Sequence, residues 1–333
     1  MKQMNVAILG AGMIIPDFLE AAGRIEEFNM YAILGRVNRM ERLKELQKMG
    51  DIDCIYHDYD ELLADEAVDV VYVALPNHLH YSFAKKAIQQ KKHVIVEKPF
   101  TGTYQEAREL VELAEKHHVM VFEAISNQYM PNYEKTRELL EDLGNIKIVQ
   151  LNFSQYSSRY DRFREGTVLP VFDPKQAGGA LMDINVYNIH YVTGLFGKPE
   201  RIHYFANVER GIDTSGILIM EYPDFQAVCI GAKDCKAPLS INIQGDRGFI
   251  HSDEPANCYG TFTCAENSGV SRVYSLNAGM PRLYYELRFF AEMAGKGDFE
   301  QAGMCARHTL DVMEILDEAR KQAGIAFEES VSH

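Results

Sequence analysis

Residues 4–18 read MNVAILGAGMIIPDF. A run of four apolar residues, 6–9, leads into Gly10-Ala11-Gly12, after which Ile14, Phe18, Ala21, Ala22 and Ile25 recur on one helical face. An apolar run that barely alternates is the pattern of a strand buried on both sides, and the 3.6-residue period behind it is that of an amphipathic helix. A strand–glycine–helix junction gathers backbone N–H groups and the positive end of the helix dipole at one point, where an anionic phosphate fits. The third position of the G-x-G-x-x-G pattern is Ile15, not a small residue, so an imperfectly packed loop is expected. Pro16 follows in the first turn, where its missing N–H costs little.

The same alternation continues outward. Apolar runs at 31–34, 70–75, 93–96 and 119–122 are separated by helical faces built on Leu43 and Leu46, on Phe83, Ala84, Ala87 and Ile88, and on Leu110, Leu113 and Ala114. Strand and helix in alternation predict a doubly wound parallel sheet with right-handed crossovers, the Rossmann arrangement. From about residue 145 the style changes. Strands are expected at 146–155, 201–208, 216–222, 226–232 and 240–244, with turns at Tyr222-Pro-Asp-Phe225 and Gly245-Asp-Arg-Gly248. A helix is expected at 179–196, and two more near 283–295 and 303–323. The expected organisation is a dinucleotide-binding domain, 1–124, followed by an α+β substrate-binding and oligomerisation domain, 125–333, with an open and largely antiparallel sheet.

Composition narrows the partners. The chain has 333 residues, 47% hydrophobic and 25% charged, which is globular, and a formal net charge of −14. Phosphate backbones and anionic lipid repel such a surface, so nucleic acid and membrane partners are not expected. No run approaches the roughly 18 apolar residues of a membrane span, and the amino-terminal run reads as strand and glycine loop rather than signal peptide. Cys54, Cys229, Cys235, Cys258, Cys264 and Cys305 form no C-x-x-C pair or metal spacing. They read as small buried hydrophobes in a reducing cytoplasm, with no metal centre.

Several residues mark a ligand rim. An acidic residue about 20 positions after the glycines usually binds a ribose 2′-hydroxyl. Counting on from Gly12 gives Leu34-Gly35-Arg36-Val37-Asn38-Arg39, with Glu41 the first carboxylate. Guanidinium groups can hold a 2′-phosphate instead, which favours NADP(H) over NAD(H). Pro76-Asn77-His78-Leu79-His80 follows one predicted strand and Glu97-Lys98-Pro99 the next, both at carboxyl ends, where doubly wound sheets bind ligands. The candidate coenzyme contacts are Gly10, Gly12, Met13, Ile14, Gly35, Arg36, Leu75, Pro76, Asn77, His80, Glu97 and Lys98. In the second half, Gly178-Gly179-Ala180-Leu181-Met182-Asp183 opens the 179–196 helix, and Asp183, Tyr187 and His190 fall on one face at α-helical spacing. The remaining face is apolar, so this polar stripe is expected to border a cleft.

Taken together, HVIVEKPF, Pro76-Asn77 with His80, and GGALMDINVYNIHYVTGLFGKPE resemble the glucose–fructose oxidoreductase / inositol dehydrogenase / rhizopine-catabolism (Gfo/Idh/MocA) family over nearly the whole chain. EAISNQYMP and the Asp-x₃-Tyr form are most similar to its dihydrodiol dehydrogenase branch; inositol dehydrogenases would place His where this chain has Tyr187. The resemblance implies an open second sheet with one face over the active site and the other in an oligomer interface, hence a homodimer or homotetramer. It also implies hydride transfer between a nicotinamide coenzyme and a sugar, cyclic polyol or diol/keto compound. Such chemistry needs a cation for the developing alkoxide and a proton donor/acceptor. Lys98 fits the first role and Tyr187 the second, with Asp183 binding a neighbouring hydroxyl or orienting Lys98, and Glu97 supporting the lysine. His190 stands as a proton-transfer alternative or a packed structural histidine. The polar, aromatic segment 156–163 suits a polyhydroxylated ring. Two other readings share the fold: a non-catalytic NAD(P)-binding regulator, and a reductase of a linear tetrapyrrole or an imine.

Overall fold

The computed structural model describes residues 3–327. The chain forms two compact units. The first comprises the residues up to Ala124 together with Met280–Leu310; the second comprises Ile125–Gly279 and the described residues from Asp311 on.

The first unit carries a six-stranded sheet: β1 (Met4–Leu9), β2 (Phe28–Leu34), β3 (Cys54–Tyr56), β4 (Val70–Val73), β5 (His93–Glu97) and β6 (Val121–Ala124). Their order is β3-β2-β1-β4-β5-β6, and every pairing is parallel. The order reverses between β1 and β4, so the loops leaving their carboxyl ends diverge and leave a crevice for a ligand. Helices α1 (Ile15–Ala22), α2 (Met40–Gly50), α3 (Tyr59–Ala64), α4 (His80–Gln89) and α5 (Tyr104–His117) connect the strands. Two of these elements, β3 and α3, lie outside the sequence expectation, because three and six residues are too short for periodicity to register. Asp58 caps α3, accepting from the N–H groups of Asp60 and Glu61. Thr103 and Glu106 form a reciprocal capping box on α5.

The second unit begins with α6 (Pro131–Leu139) and an eight-stranded sheet. Its strands are β7 (Ile146–Ser154), β8 (Arg201–Glu209), β9 (Ile212–Glu221), β10 (Gln226–Ala232), β11 (Ser240–Gly245), β12 (Gly248–Ser252), β13 (Phe262–Glu266) and β14 (Ser271–Tyr274). The order is β14-β13-β12-β11-β7-β10-β9-β8. All neighbours are antiparallel except β7 and β10, which run parallel because the chain between them passes through α7 (Ser158–Arg164), α8 (Val186–Phe196) and the β8–β9 hairpin. Arg210 and Gly211 close that hairpin with φ of 51° and 80°, as a two-residue turn of primed type requires. The predicted turn at 222–225 is present, the Tyr222 N–H donating to the Phe225 carbonyl at 3.0 Å. Val149, Leu151, Met220, Cys229 and Ile243 fill the inner face of this sheet, which α8 covers.

Two helices follow. In α9 (Tyr284–Lys296), which belongs to the first unit, Leu287, Phe290 and Ala291 are buried, and Phe290 stacks on Phe122 of β6 with ring centroids 4.5 Å apart. The last helix is α10 (Phe299–Gln322). No described helix is long and apolar enough to cross a membrane. Cys229 is buried, but Cys235 and Cys258 are exposed, correcting the expectation that all six thiols pack inside.

Candidate active site

In the first unit the crevice is built from β1, β4 and β5. Gly10 has φ +106°, and a Cβ there would lie 2.6 Å from the Ala74 carbonyl oxygen, so only glycine lets the two strand ends run so close. The Gly10 N–H donates to Leu34 at 3.0 Å. Gly12 is different: apart from its own atoms and its two chain neighbours, no atom of the described residues lies within 4 Å of where its Cβ would stand. The protein itself makes no use of that space, which suits a phosphate approaching the backbone at the start of α1. Met13 beside it is 76% exposed. Ile15, the departure from the glycine pattern, is fully buried in the core, and Pro16 occupies the first turn of α1. A Cβ at Gly35 would meet the Leu43 side chain at 2.6 Å, so this glycine is needed for α2 to pack. Arg36 and Arg39 are both exposed beyond the end of β2. These residues fit a dinucleotide coenzyme: open backbone for the pyrophosphate and guanidinium groups for a phosphorylated ribose.

His80 has a different part from the expected coenzyme contact. It is buried at the start of α4, its Nδ1 2.9 Å from the Pro99 carbonyl and its Nε2 2.8 Å from the Leu75 carbonyl. It ties the loop after β4 to the loop after β5. Burial pushes its pKa down, although the two carbonyls favour the cation.

Glu97 ends β5, and Lys98 and Pro99 follow through a cis peptide bond. The Tyr72 hydroxyl donates to Glu97 Oε1 at 2.5 Å, and the Tyr72 ring stacks on Phe18 at 3.9 Å. Burial raises the Glu97 pKa, while Tyr72 and the nearby Lys98 pull it back. Glu123 of β6 accepts from the Phe100 N–H at 3.0 Å, fixing the chain beyond Pro99.

In the second unit the predicted long helix opens differently from expectation. Leu181–Asn185 is π-helical and only Val186–Phe196 is α-helical. The wider turn breaks the 3.6-residue period between Asp183 and Tyr187, so the α-helical stripe of Asp183, Tyr187 and His190 does not hold as drawn. Side chains from elsewhere in this unit hold the irregular segment. Asp213 of β9 accepts from the Leu181 N–H at 2.6 Å and the Tyr204 hydroxyl at 2.9 Å, and Gly179, at φ +106°, makes room for it. Asn127 donates to the Tyr187 carbonyl at 2.7 Å, and Gln128 to the His190 carbonyl at 2.6 Å. Asn185 and Asn188 donate to Cys229 and Ile230 of β10 at 3.1 and 3.0 Å.

Tyr187 is largely buried, 6.2 Å from the Phe153 ring, and His190 is fully buried. The Asp183 side chain is 31% exposed and pairs with the ammonium of Lys233, just past β10. Sequence reasoning missed Lys233 and Asp213, because nothing local marks a lone lysine after a strand or an aspartate within one. Segment 156–163 stays largely at the surface, and only Phe163 in it is buried. Tyr156 donates to Asp161 and Tyr160 to Glu209, each at 2.5 Å, and Phe163 is buried with Phe172 and Ile212.

Comparison with known proteins decides the family. Residues 4–125 match the model described as oxidoreductase family, NAD-binding Rossmann fold, and residues 133–251 match the GFO/IDH/MocA C-terminal domain. The chain belongs to the Gfo/Idh/MocA oxidoreductase family. It is 32% identical to scyllo-inositol 2-dehydrogenase (NADP(+)) IolU of Bacillus subtilis, over 97% of this chain and 98% of the relative. It is 26% identical to trans-1,2-dihydrobenzene-1,2-diol dehydrogenase of Sus scrofa, over 96% of this chain and 97% of that one. Identity is thus higher to an inositol dehydrogenase than to this member of the branch whose motif form it resembles. Among solved structures, KijD10, a 3-ketoreductase from Actinomadura kijaniata with NADP and TDP-benzene, shares the fold at TM-score 0.83 and 20% identity, covering 96% of this chain and 98% of that one.

Proposed function

We propose that the protein is an NADP(H)-dependent dehydrogenase/reductase acting on a CH–OH or keto group of a cyclic polyol, sugar or vicinal diol. The observation that carries this reading is Lys98 at the carboxyl end of β5, on the same edge of the parallel sheet as a glycine loop whose Gly12 faces open space. Lys98, Asp183 and Tyr187 are all present, which a regulator on this fold would not need. The preference for NADP(H) rests on Arg36 and Arg39 in place of an acidic residue after β2, and on the NADP(+) dependence named for the Bacillus relative.

Gly10, Gly12, Met13 and Ile14 would hold the pyrophosphate side of the coenzyme, Gly35 and Arg36 its ribose phosphate, and Leu75, Pro76, Asn77, Glu97 and Lys98 its nicotinamide side. The bound coenzyme supplies or accepts the hydride. On oxidation Tyr187, as the phenolate, would take the hydroxyl proton while the Lys98 ammonium stabilises the negative charge that gathers on the oxygen; on reduction the phenol would return the proton and the ammonium stabilise the same charge. Asp183 accepts a hydrogen bond from a neighbouring substrate hydroxyl. Glu97, anchored by Tyr72, fixes the backbone that carries Lys98. The proposed setting is the cytoplasm, where the exposed thiols Cys235 and Cys258 would stay reduced. The proposed assembly is a homodimer or homotetramer through the outer face of the second sheet.

The test is a panel of scyllo-inositol, myo-inositol, glucose and trans-1,2-dihydrobenzene-1,2-diol with NADP⁺ and NAD⁺, followed by reduced-nicotinamide absorbance. Turnover is expected with NADP⁺ preferred. Lys98→Met and Tyr187→Phe should each lower kcat by roughly 10²-fold or more. Tyr187→Phe should leave coenzyme affinity nearly unchanged. Wild-type turnover by Tyr187→Phe would remove the proton-transfer role.

A further inference from the structure

Lys233 lies one residue beyond β10, and the residue is only 7% exposed. Its backbone is tied on both sides: its N–H donates to the Thr214 carbonyl at 2.9 Å, and its carbonyl accepts from the Ser157 N–H at 2.9 Å. Its ammonium meets Asp183 Oδ2. Asp183 sits in the π-helical turn, and that turn is pressed against β10, where a Cβ on Gly231 would come within 2.6 Å of the Asn185 Cβ. Asn185 and Asn188 bond the β10 carbonyls just before this contact, at Cys229 and Ile230. Strand and π-turn are therefore locked in register, and the lysine at the strand end falls where the aspartate needs a counter-charge.

From this geometry we infer that Lys233 is a positioning residue for substrate binding, holding the Asp183 carboxylate in one orientation. The inference rests on the role proposed above for Asp183. Burying an ammonium is costly unless it is paired, and the pairing restricts the rotation of the carboxylate that meets it. An ionised, oriented carboxylate accepts a hydroxyl hydrogen bond about twice as strong as a neutral acceptor does. Removing the ammonium leaves the carboxylate in place but takes away this orienting contact. The loss therefore appears in substrate affinity more than in the chemical step.

The experiment compares Lys233→Met, Lys233→Arg, Asp183→Asn and the double variant Lys233→Met/Asp183→Asn, as full-length protein. Each is assayed with the panel compound turned over fastest and NADP⁺, and each is melted without ligand. Lys233→Met should raise KM roughly 10-fold with kcat changed less than about 3-fold, and Lys233→Arg should restore most of the affinity. The double variant should resemble Asp183→Asn alone in KM and melt above it, because replacing Lys233 as well removes the ammonium that Asp183→Asn leaves unpaired. Wild-type KM in Lys233→Met, with Asp183→Asn impaired, overturns the inference and leaves the proposed function standing. So do strictly multiplicative effects on KM together with additive shifts in melting temperature. Unimpaired Asp183→Asn overturns the role of Asp183 itself and the inference with it. Should Lys233→Met not fold, Lys233→Arg decides: a KM raised as far as in Asp183→Asn excludes charge positioning, and a near-native KM supports it.

Discussion

Glu286, in the first turn of α9, is 1% exposed, and its carboxyl pKa is pushed well above the usual range. Burial is the main cause, Glu97 adds to it, and Arg282 opposes both. An acid with a raised folded-state pKa holds its proton in the folded protein after the unfolded chain has lost it. Stability therefore falls as pH rises through the window from the ordinary carboxyl range to the raised value, by about 1.4 kcal/mol per pH unit for one group. Glu286→Gln removes that slope. It should leave the melting temperature nearly unchanged at pH 4.5 and raise it increasingly toward pH 8, as thermal melts across this range will test. Equal shifts at all pH values would place the charge of Glu286 outside this account. At this scale the sequence shows residues whose neighbours in the chain identify them. Gly10, Gly12, Lys98, Asp183 and Tyr187 stand in short motifs. Glu286, Asp213 and Lys233 do not, because what makes them unusual is burial beside a group far away in the chain.

Elements show the same division. The strands of the first sheet are visible because each is apolar on both faces, and α1, α2, α4 and α5 because each keeps one apolar face. The π-helical turn at Leu181–Asn185 is not visible, since no residue pattern distinguishes it from the α-helix it opens. It exists because Asp213, Asn185, Asn188 and β10 take up its backbone and side-chain hydrogen bonds. Gly231 is the point where turn and strand touch. Gly231→Ala should force them apart by a few tenths of an ångström or more, at a cost of about 1–3 kcal/mol. Chemical denaturation will measure that cost. The same variant should lower turnover, because Asp183 and Tyr187 ride on the displaced segment.

For the whole molecule, the outer face of the second sheet carries the consequence. Phe205, Ile217 and Ile230 lie side by side across β8, β9 and β10, and Ile219 and Val228 form the next row. Phe205 is 63% exposed. Contiguous apolar surface of this kind marks an interaction site, and a sheet face shared by two copies is self-complementary under two-fold symmetry. If the assembly proposed above forms through this face, Phe205→Asp should halve the mass measured by light scattering while leaving the folded monomer nearly as stable, since the side chain is already exposed. An unchanged mass would exclude this face as the interface.

The sequence by itself determined the layered architecture, the family and the residue types at the rim, because periodicity and short motifs are local properties of the chain. Tertiary structure alone decided that Met280–Leu310 returns to the first unit and that the helix carrying Asp183 starts with a π-turn. It also decided that Asp183 is met by Lys233. Each of these depends on groups far apart in the chain satisfying one another's burial and charge, and no reading of neighbours along the chain contains that information.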